Sequence, residues 1–494
     1  MGRIFMRENR AWTGIAISKN KELIDMENKF VVKLKNFFLG ASPLSHLDEL
    51  TEIGNSGHYS SASNVDIITK PGIFTQGPDL VNLTDGTQAG AITELVNHIL
   101  DVAVSDDTTY GISTTKLYKI TSTAVINTAP FPQAITGCVS GKSVAYLKGG
   151  LYYFFKRTSD GAIGTYDLAS TFNHAWQTGL QAADLMPSAT KEDILLFGHG
   201  RYVGVYFQST ASMNLTRLDF GTNHEVADIV FHGNQWIIAV NNSVGHYSQI
   251  YSYDAGATTA LLSDEIAVGL QKIGFLFPLN GVVYVAYRDL SFTGGYKIGY
   301  LAGRKIESVV SFSGSLPLYN QKTLFKNTIL FLSGGLVYSA GAVVGELPFA
   351  ISQLADGGYT TCGALAAPFG TPMIASTEGS NFRLAKFSGY TISSNWRSII
   401  ISTISGKLSG YIDFITVRTN TLGSGAAAVL KLEFDQASSI SDTYNIATTN
   451  KRKHIFNINK LCDDFRIYLD FSTGSASNPC EIKEITIFGH YKED

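Results

Sequence analysis

The residues able to do chemistry in this 494-residue chain are ten histidines, 41 carboxylates and four cysteines. His199, His232 and His246 fall beside turns, where imidazoles from neighbouring turns could converge on one metal ion. Three adjacent acid pairs, Asp106-Asp107, Glu192-Asp193 and Asp264-Glu265, are where a glycosidase would find its two carboxyls, which must flank the scissile bond about 5 to 9 Å apart. Neighbours on a strand point to opposite faces, however, and an Asp in a turn commonly accepts a backbone N–H. The acid pairs therefore read as turn formers and the histidines as solvated turn residues.

Motifs add little to this. The chain has no G-x-S-x-G elbow, P-loop, G-x-G-x-x-G after a strand, H-E-x-x-H or D-x-D-x-D-G loop. Thr158-Ser159-Asp160-Gly161, followed by Gly164-Thr165-Tyr166, resembles the Asp-box of sialidases, a hairpin-turn signature without catalytic role. The repeated region holds only six arginines, at 157, 201, 217, 288, 304 and 383, and none forms the Arg-rich first strand that family requires. Cys138, Cys362, Cys462 and Cys480 are too scattered for a disulfide framework and form no C-x-x-C half-site, so they read as reduced structural thiols. Tyr152, Tyr202, Tyr206, Tyr284 and Tyr287 suit carbohydrate stacking or an interface, but their strand positions make them core residues with a wet hydroxyl. No catalytic, cofactor-binding or metal-ligating residue is assigned.

Composition narrows the function class. Apolar residues make up 45% and charged residues only 16%, which excludes a disordered chain and predicts a weakly charged surface. Net charge is −3, and the one dense basic run, Lys451-Arg452-Lys453-His454, reads as a solvated hairpin tip. A nucleic-acid binder would show a basic face. No segment has the ~18 apolar residues that cross a bilayer, and the first residues lack the core of a secretory signal, so synthesis and retention in the cytosol are expected.

The elements that must position these residues repeat. Gly274 to Leu301 reads as an apolar run, the turn Asn280-Gly281, the alternating strand VVYVAY, then Gly294-Gly295 and a third strand. Asn-Gly suits a type I′ hairpin turn, whose two central residues have φ > 0. Equivalent turns stand at Asp106-Asp107, Gly149-Gly150, His199-Gly200, Gly233-Asn234, Lys326-Asn327 and Phe369-Gly370, at intervals of 43, 50, 34, 47, 46 and 43 residues. A period of about 44 residues with three or four strands each is the signature of a propeller blade. The spacing predicts an all-β chain with a seven-bladed β-propeller over residues 65–394, its blades at 92–394, and Val65 to Pro78 as the strand that closes the ring.

Residues 1–64 read as an arm and loop, with Phe30 to Gly40 a strand that has no blade. Residues 395–494 change rhythm to longer alternating strands, among them AAVLKLEFD, DFRIYLDF and CEIKEITIFGHY, and predict a β-sandwich. The edges of the last two are expected to be open to neighbouring subunits.

This layout, with Lys70-Pro71-Gly72 inside TKPGIF (Thr69 to Phe74) and a terminal strand CEIKEITIFGHY, resembles the propeller-containing tail proteins of tailed bacteriophages, in plan the hub or nozzle protein of short-tailed phages. The resemblance covers nearly the whole chain, rests on architecture, and carries over no functional residue. It implies a non-enzymatic virion tail protein assembled in the host cytoplasm, forming a homo-oligomeric ring that docks to other tail proteins. DNA would pass through the lumen without sequence-specific binding, and nothing would insert in a membrane. Two alternatives stay open: a tail protein binding a host surface glycan, and an envelope glycoside hydrolase marked by two facing carboxylates, one with a raised pKa.

Overall fold

The computed structural model describes residues 29–35, 37, 40–41, 46–47, 58–84, 92–97, 108–244, 247–255, 262–270, 272–289, 294–341, 350–356, 361–367, 370–378, 381–403, 409–436 and 442–492. Among them the chain is all-β, built of many small sheets, and divides into two compact units: residues 1–79, 338–356 and 388–494, and residues 80–337 and 357–387. These boundaries differ from the expected 64/65 and 394/395, because the smaller unit gathers stretches that lie far apart in the chain.

The larger unit repeats one motif, a four-stranded antiparallel meander. Its second sheet runs Ser140–Leu147, Gly150–Lys156, Gly161–Tyr166, Phe172–Leu180. The first, third, fourth and fifth sheets begin at Ile92–Asn97, Ser188–Lys191, His224–His232 and Lys272–Leu279. Lys322–Phe325 and Thr328–Ser333 form the hairpin that comes next, followed by Thr361–Ala366, Met373–Glu378 and Asn381–Ser388 with Asp79–Asn82 outermost. The strand on that outer position was expected to be Val65 to Pro78. Those residues instead form a hairpin of the smaller unit, where Phe74 is fully buried and exchanges two backbone hydrogen bonds with Ile482, at 3.0 and 2.9 Å.

Asn280 and Gly281 have φ of 50° and 80°, as a type I′ turn requires. The third turn is a correction. His199-Gly200 joins the second and third strands of its sheet, and the equivalent first turn is at Glu192-Asp193, with Glu192 at φ 57°. Spacing then becomes even: 43 residues from Gly150 to Asp193 and 41 on to Asn234.

First strands lie side by side. Ser140–Leu147 neighbours Ile92–Asn97 and Ser188–Lys191, and His224–His232 neighbours Ser188–Lys191 and Lys272–Leu279. Lys322–Phe325 neighbours Thr361–Ala366, which in turn lies beside Ile92–Asn97. Four of these strands slip register at the same place, around Lys142, Ala227, Gly274 and Gly363. A bulge of this kind twists the strand and leaves a peptide unit without a ladder partner.

The smaller unit holds a four-stranded sheet in the order Lys29–Lys35, Ile482–Lys492, Ser409–Thr419, Lys453–Cys462, and a seven-stranded sheet centred on Asp464–Asp470. Phe37, Phe74, Trp396 and Phe471 pack as rings 4.7 to 5.9 Å apart. The strand expected over Phe30 to Gly40 finds its sheet edge in its own chain, in register from Lys29 opposite His490 to Lys35 opposite Glu484. DFRIYLDF and CEIKEITIFGHY, expected to present edges, are interior strands with neighbours on both sides: Asp464–Asp470 lies between Asn395–Arg397 and Ala428–Phe434, and Ile482–Lys492 between Lys29–Lys35 and Ser409–Thr419. The end strands of the four-stranded sheet are Lys29–Lys35 and Lys453–Cys462.

Candidate functional site

The first strands of the larger unit carry a group of part-buried polar contacts. A segment of loop and strand, Leu316 to Lys322, reaches several of them at once. The Tyr319 hydroxyl donates to the Lys142 carbonyl (2.8 Å) and the Asn320 amide to the Gly363 carbonyl (3.1 Å), so two bulge carbonyls find donors there. Gly274, at a third bulge, lies so close beneath this segment that a Cβ would sit 2.1 Å from the Pro317 carbonyl oxygen. Only a glycine fits.

Asp228 is the charged member of the group. Its carboxylate accepts the Leu276 N–H (2.6 Å) and the Ile229 N–H (2.8 Å) and pairs with the Lys322 ammonium, which also donates to the Leu276 carbonyl (2.6 Å). Burial raises the Asp228 pKa despite the lysine beside it, so desolvation outweighs the pair. One carboxylate thus joins three consecutive repeats. A lone Asp in the apolar strand VADIVFH was the available sequence signal, since a buried carboxylate must have a partner.

A second set of charges lies at the start of the first strands. Glu225 accepts the Leu185 N–H at 2.9 Å, and Asp184 pairs with Lys156 at 3.2 Å. Burial, and then the charge of Asp184, raise the Glu225 pKa, while Lys272 opposes. Lys142 is pushed down by burial, against the pull of Asp184 and Glu225. Glu225 and Asp184 are two acids within electrostatic reach, one with a raised pKa. The spacing of acids in the sequence does not reveal them, because they are 41 residues apart.

The residues singled out from sequence do not come together. His199 is buried, its Nδ1 accepting the Gln181 N–H (3.0 Å) and its Nε2 donating to the Leu215 carbonyl (2.8 Å), so it serves the fold. His232 ends a hairpin opposite Gln235, and His246 lies outside the described residues. Among the described residues no cluster of His, Cys, Asp or Glu could hold a metal ion. Glu192-Asp193 is a turn, Asp106-Asp107 is outside the described residues, and the side chains of Asp264-Glu265 are too. Asp160 binds Arg157 within its own hairpin turn and accepts the Gly179 N–H of the next strand. Tyr152, Tyr206 and Tyr287 are buried, and Tyr202 and Tyr284 half-buried. Cys138, Cys462 and Cys480 are free thiols held up at about 12 by burial. A shallow cavity of about 480 Å³ lies over Phe131 and Tyr166, rimmed by Lys119, Thr121 and Pro130.

No family model matches the chain, and no curated protein does. Among solved structures, the WD40 domain of Neurospora crassa Pan2 is similar over 64% of this chain and 98% of its own, at 10% identity and a TM-score of 0.42. The N-terminal domain of Nup159 is similar over 64% and 95%, at 11% identity and 0.40. An exo-β-1,3-galactanase from Phanerochaete chrysosporium spans 84% of this chain and 100% of its own, at 9% identity and 0.30. Identities this low say nothing of function.

Proposed function

We propose that this protein is a non-catalytic structural subunit of a tailed-bacteriophage tail, in which a seven-bladed β-propeller is a rigid body and a β-sandwich makes the contacts. The neighbour order of the first strands, which returns from Thr361–Ala366 to Ile92–Asn97, supports the closed ring, with Lys322–Ser333 as the start of its sixth blade. A single observation carries the reading. The place between first strands, where such a ring would admit a ligand, is occupied by the chain's own Leu316 to Lys322, whose polar groups are used on carbonyls and on Asp228. In this reading the subunit self-assembles and docks to other virion proteins.

A second reading has one observation in its favour. Glu225, with its raised pKa, and the exposed Asp184 fit the acid pair of an envelope glycoside hydrolase. One experiment separates the two. Purified protein is incubated with bacterial envelope polysaccharide and with assembling tails. The structural reading expects incorporation into particles and no reducing sugar. Sugar release that Glu225→Gln abolishes would establish the hydrolase instead.

A further inference from the structure

Lys453–Cys462 ends the four-stranded sheet of the smaller unit, paired on one side with Ser409–Thr419. Its side chains alternate: Lys453, Ile455, Asn457, Asn459 and Leu461 are exposed, while His454, Ile458 and Cys462 are buried. Ile455 is 57% exposed and Leu461 39%, so the outward face of the strand carries two large apolar side chains. An end strand directs alternate N–H and C=O groups outward, ready to template another strand. The Asn457 carbonyl receives the Tyr444 hydroxyl at 3.4 Å, too long a contact to hold it strongly.

Charge is what identifies the occupant. Lys451, Arg452 and Lys453 stand at the start of the strand, and the exposed Asp463 follows its end. Building on the reading that the chain assembles with itself, we infer that this strand pairs antiparallel with the same strand of a second copy, with Ile458 on the twofold axis. That register sets Lys453 opposite Asp463, Ile455 opposite Leu461 and Asn457 opposite Asn459. Exposed residues meet exposed residues, apolar meets apolar, and each basic end meets an acidic end, twice by symmetry. The other end strand, Lys29–Lys35, is a poorer partner, because its exposed residues Lys29, Lys33 and Lys35 would bring like charge to Lys451–Lys453.

The strand has one irregularity. At Ile458–Asn459 two residues face the single Asp413, and Asn459 has φ of 53°. This bulge falls on the twofold axis, so the pairing divides into two equivalent short ladders, Lys453–Phe456 against Lys460–Asp463. An edge contact of that size is smaller than the ~800 Å² per partner of a standard interface, so the dimer is weak. Because an isologous contact closes on itself, a ring of more copies needs a second surface.

The test is a charge swap on the full chain, with association followed by sedimentation at concentrations up to about 1 mM. Lys453→Asp and Asp463→Lys each set like charges opposite one another twice and are expected to weaken self-association about tenfold. The double variant K453D/D463K is expected to restore it. Circular dichroism of each variant checks that these exposed positions leave the fold intact. If the wild type associates and neither single variant weakens it, or the double fails to recover, this strand is not the interface while self-assembly stands. A wild type that stays monomeric throughout overturns the self-assembly reading and the interface together.

Discussion

At the scale of single residues, the most consequential pair is Asp228 with Lys322, because both charges are withdrawn from water. Removing one partner of a buried pair strands the other, which costs roughly 3–5 kcal/mol, whereas replacing both with apolar or neutral groups of similar size is close to neutral. Lys322→Met alone is therefore expected to lower stability by about that amount and D228N/K322M to recover most of it, measured by denaturant unfolding. A single variant as stable as wild type would mean that water reaches the pair. The same pair marks what the sequence left hidden. Acids and histidines that cluster along the sequence stay apart in the fold, whereas the polar centre is built from groups 94 residues apart, Asp228 and Lys322, and from Tyr319 and Lys142, 177 apart. Only the packing of repeats against one another brings these together, and local spacing carries no trace of it.

At the scale of elements, periodic features were legible and positional ones were not. The hairpin turns and their roughly 44-residue rhythm follow from Gly and Asn at φ > 0 and from branched and aromatic strands, all local properties. Sequence places the third turn at His199-Gly200 because that pair has turn chemistry as good as Glu192-Asp193, and only pairing tells a first turn from a second. Which strand sits outermost in the last sheet was equally out of reach. Asp79–Asn82 is four residues long and carries no strong strand signal, yet Leu83 just beyond it is 4% exposed, and its N–H bonds the Leu384 carbonyl at 2.9 Å. Leu83 packs in one cluster with Tyr118, Ile120 and Val125 of the first repeat and with Met373 and Leu384 of the last. It is where the two ends of the series share a core. Leu83→Ala is expected to cost about 2–5 kcal/mol and to speed hydrogen exchange in both Lys116–Thr121 and Met373–Glu378. Loss of protection in only one of these strands would show that they do not open together.

At the scale of the whole molecule, the strand Lys29–Lys35 and the last strand, Ile482–Lys492, belong to one unit, while residues 1–28 of the expected arm lie outside the described residues. Lys29–Lys35 lies in register with the last strand, Ile482–Lys492, and buries Phe30, Val31, Val32 and Leu34, with Phe37 against Phe74 and Trp396. Burying each such side chain contributes roughly 1.5–3 kcal/mol before the entropy of ordering the strand is set against it, so the segment is a structural part of the sheet. An arm serving only to reach neighbours would behave differently on deletion. Removing residues 1–37 is expected to expose the edge of Ile482–Lys492 and accelerate amide exchange there and in Ser409–Thr419. Strands such as Gly150–Lys156, in the other unit, are expected to keep their protection. Those measurements are read on the isolated chain, where no partner can substitute for the missing strand. Should the truncated protein retain wild-type exchange at Ile482–Lys492, the pairing of the two ends contributes nothing to the unit, and residues 29–37 would be available to neighbours after all.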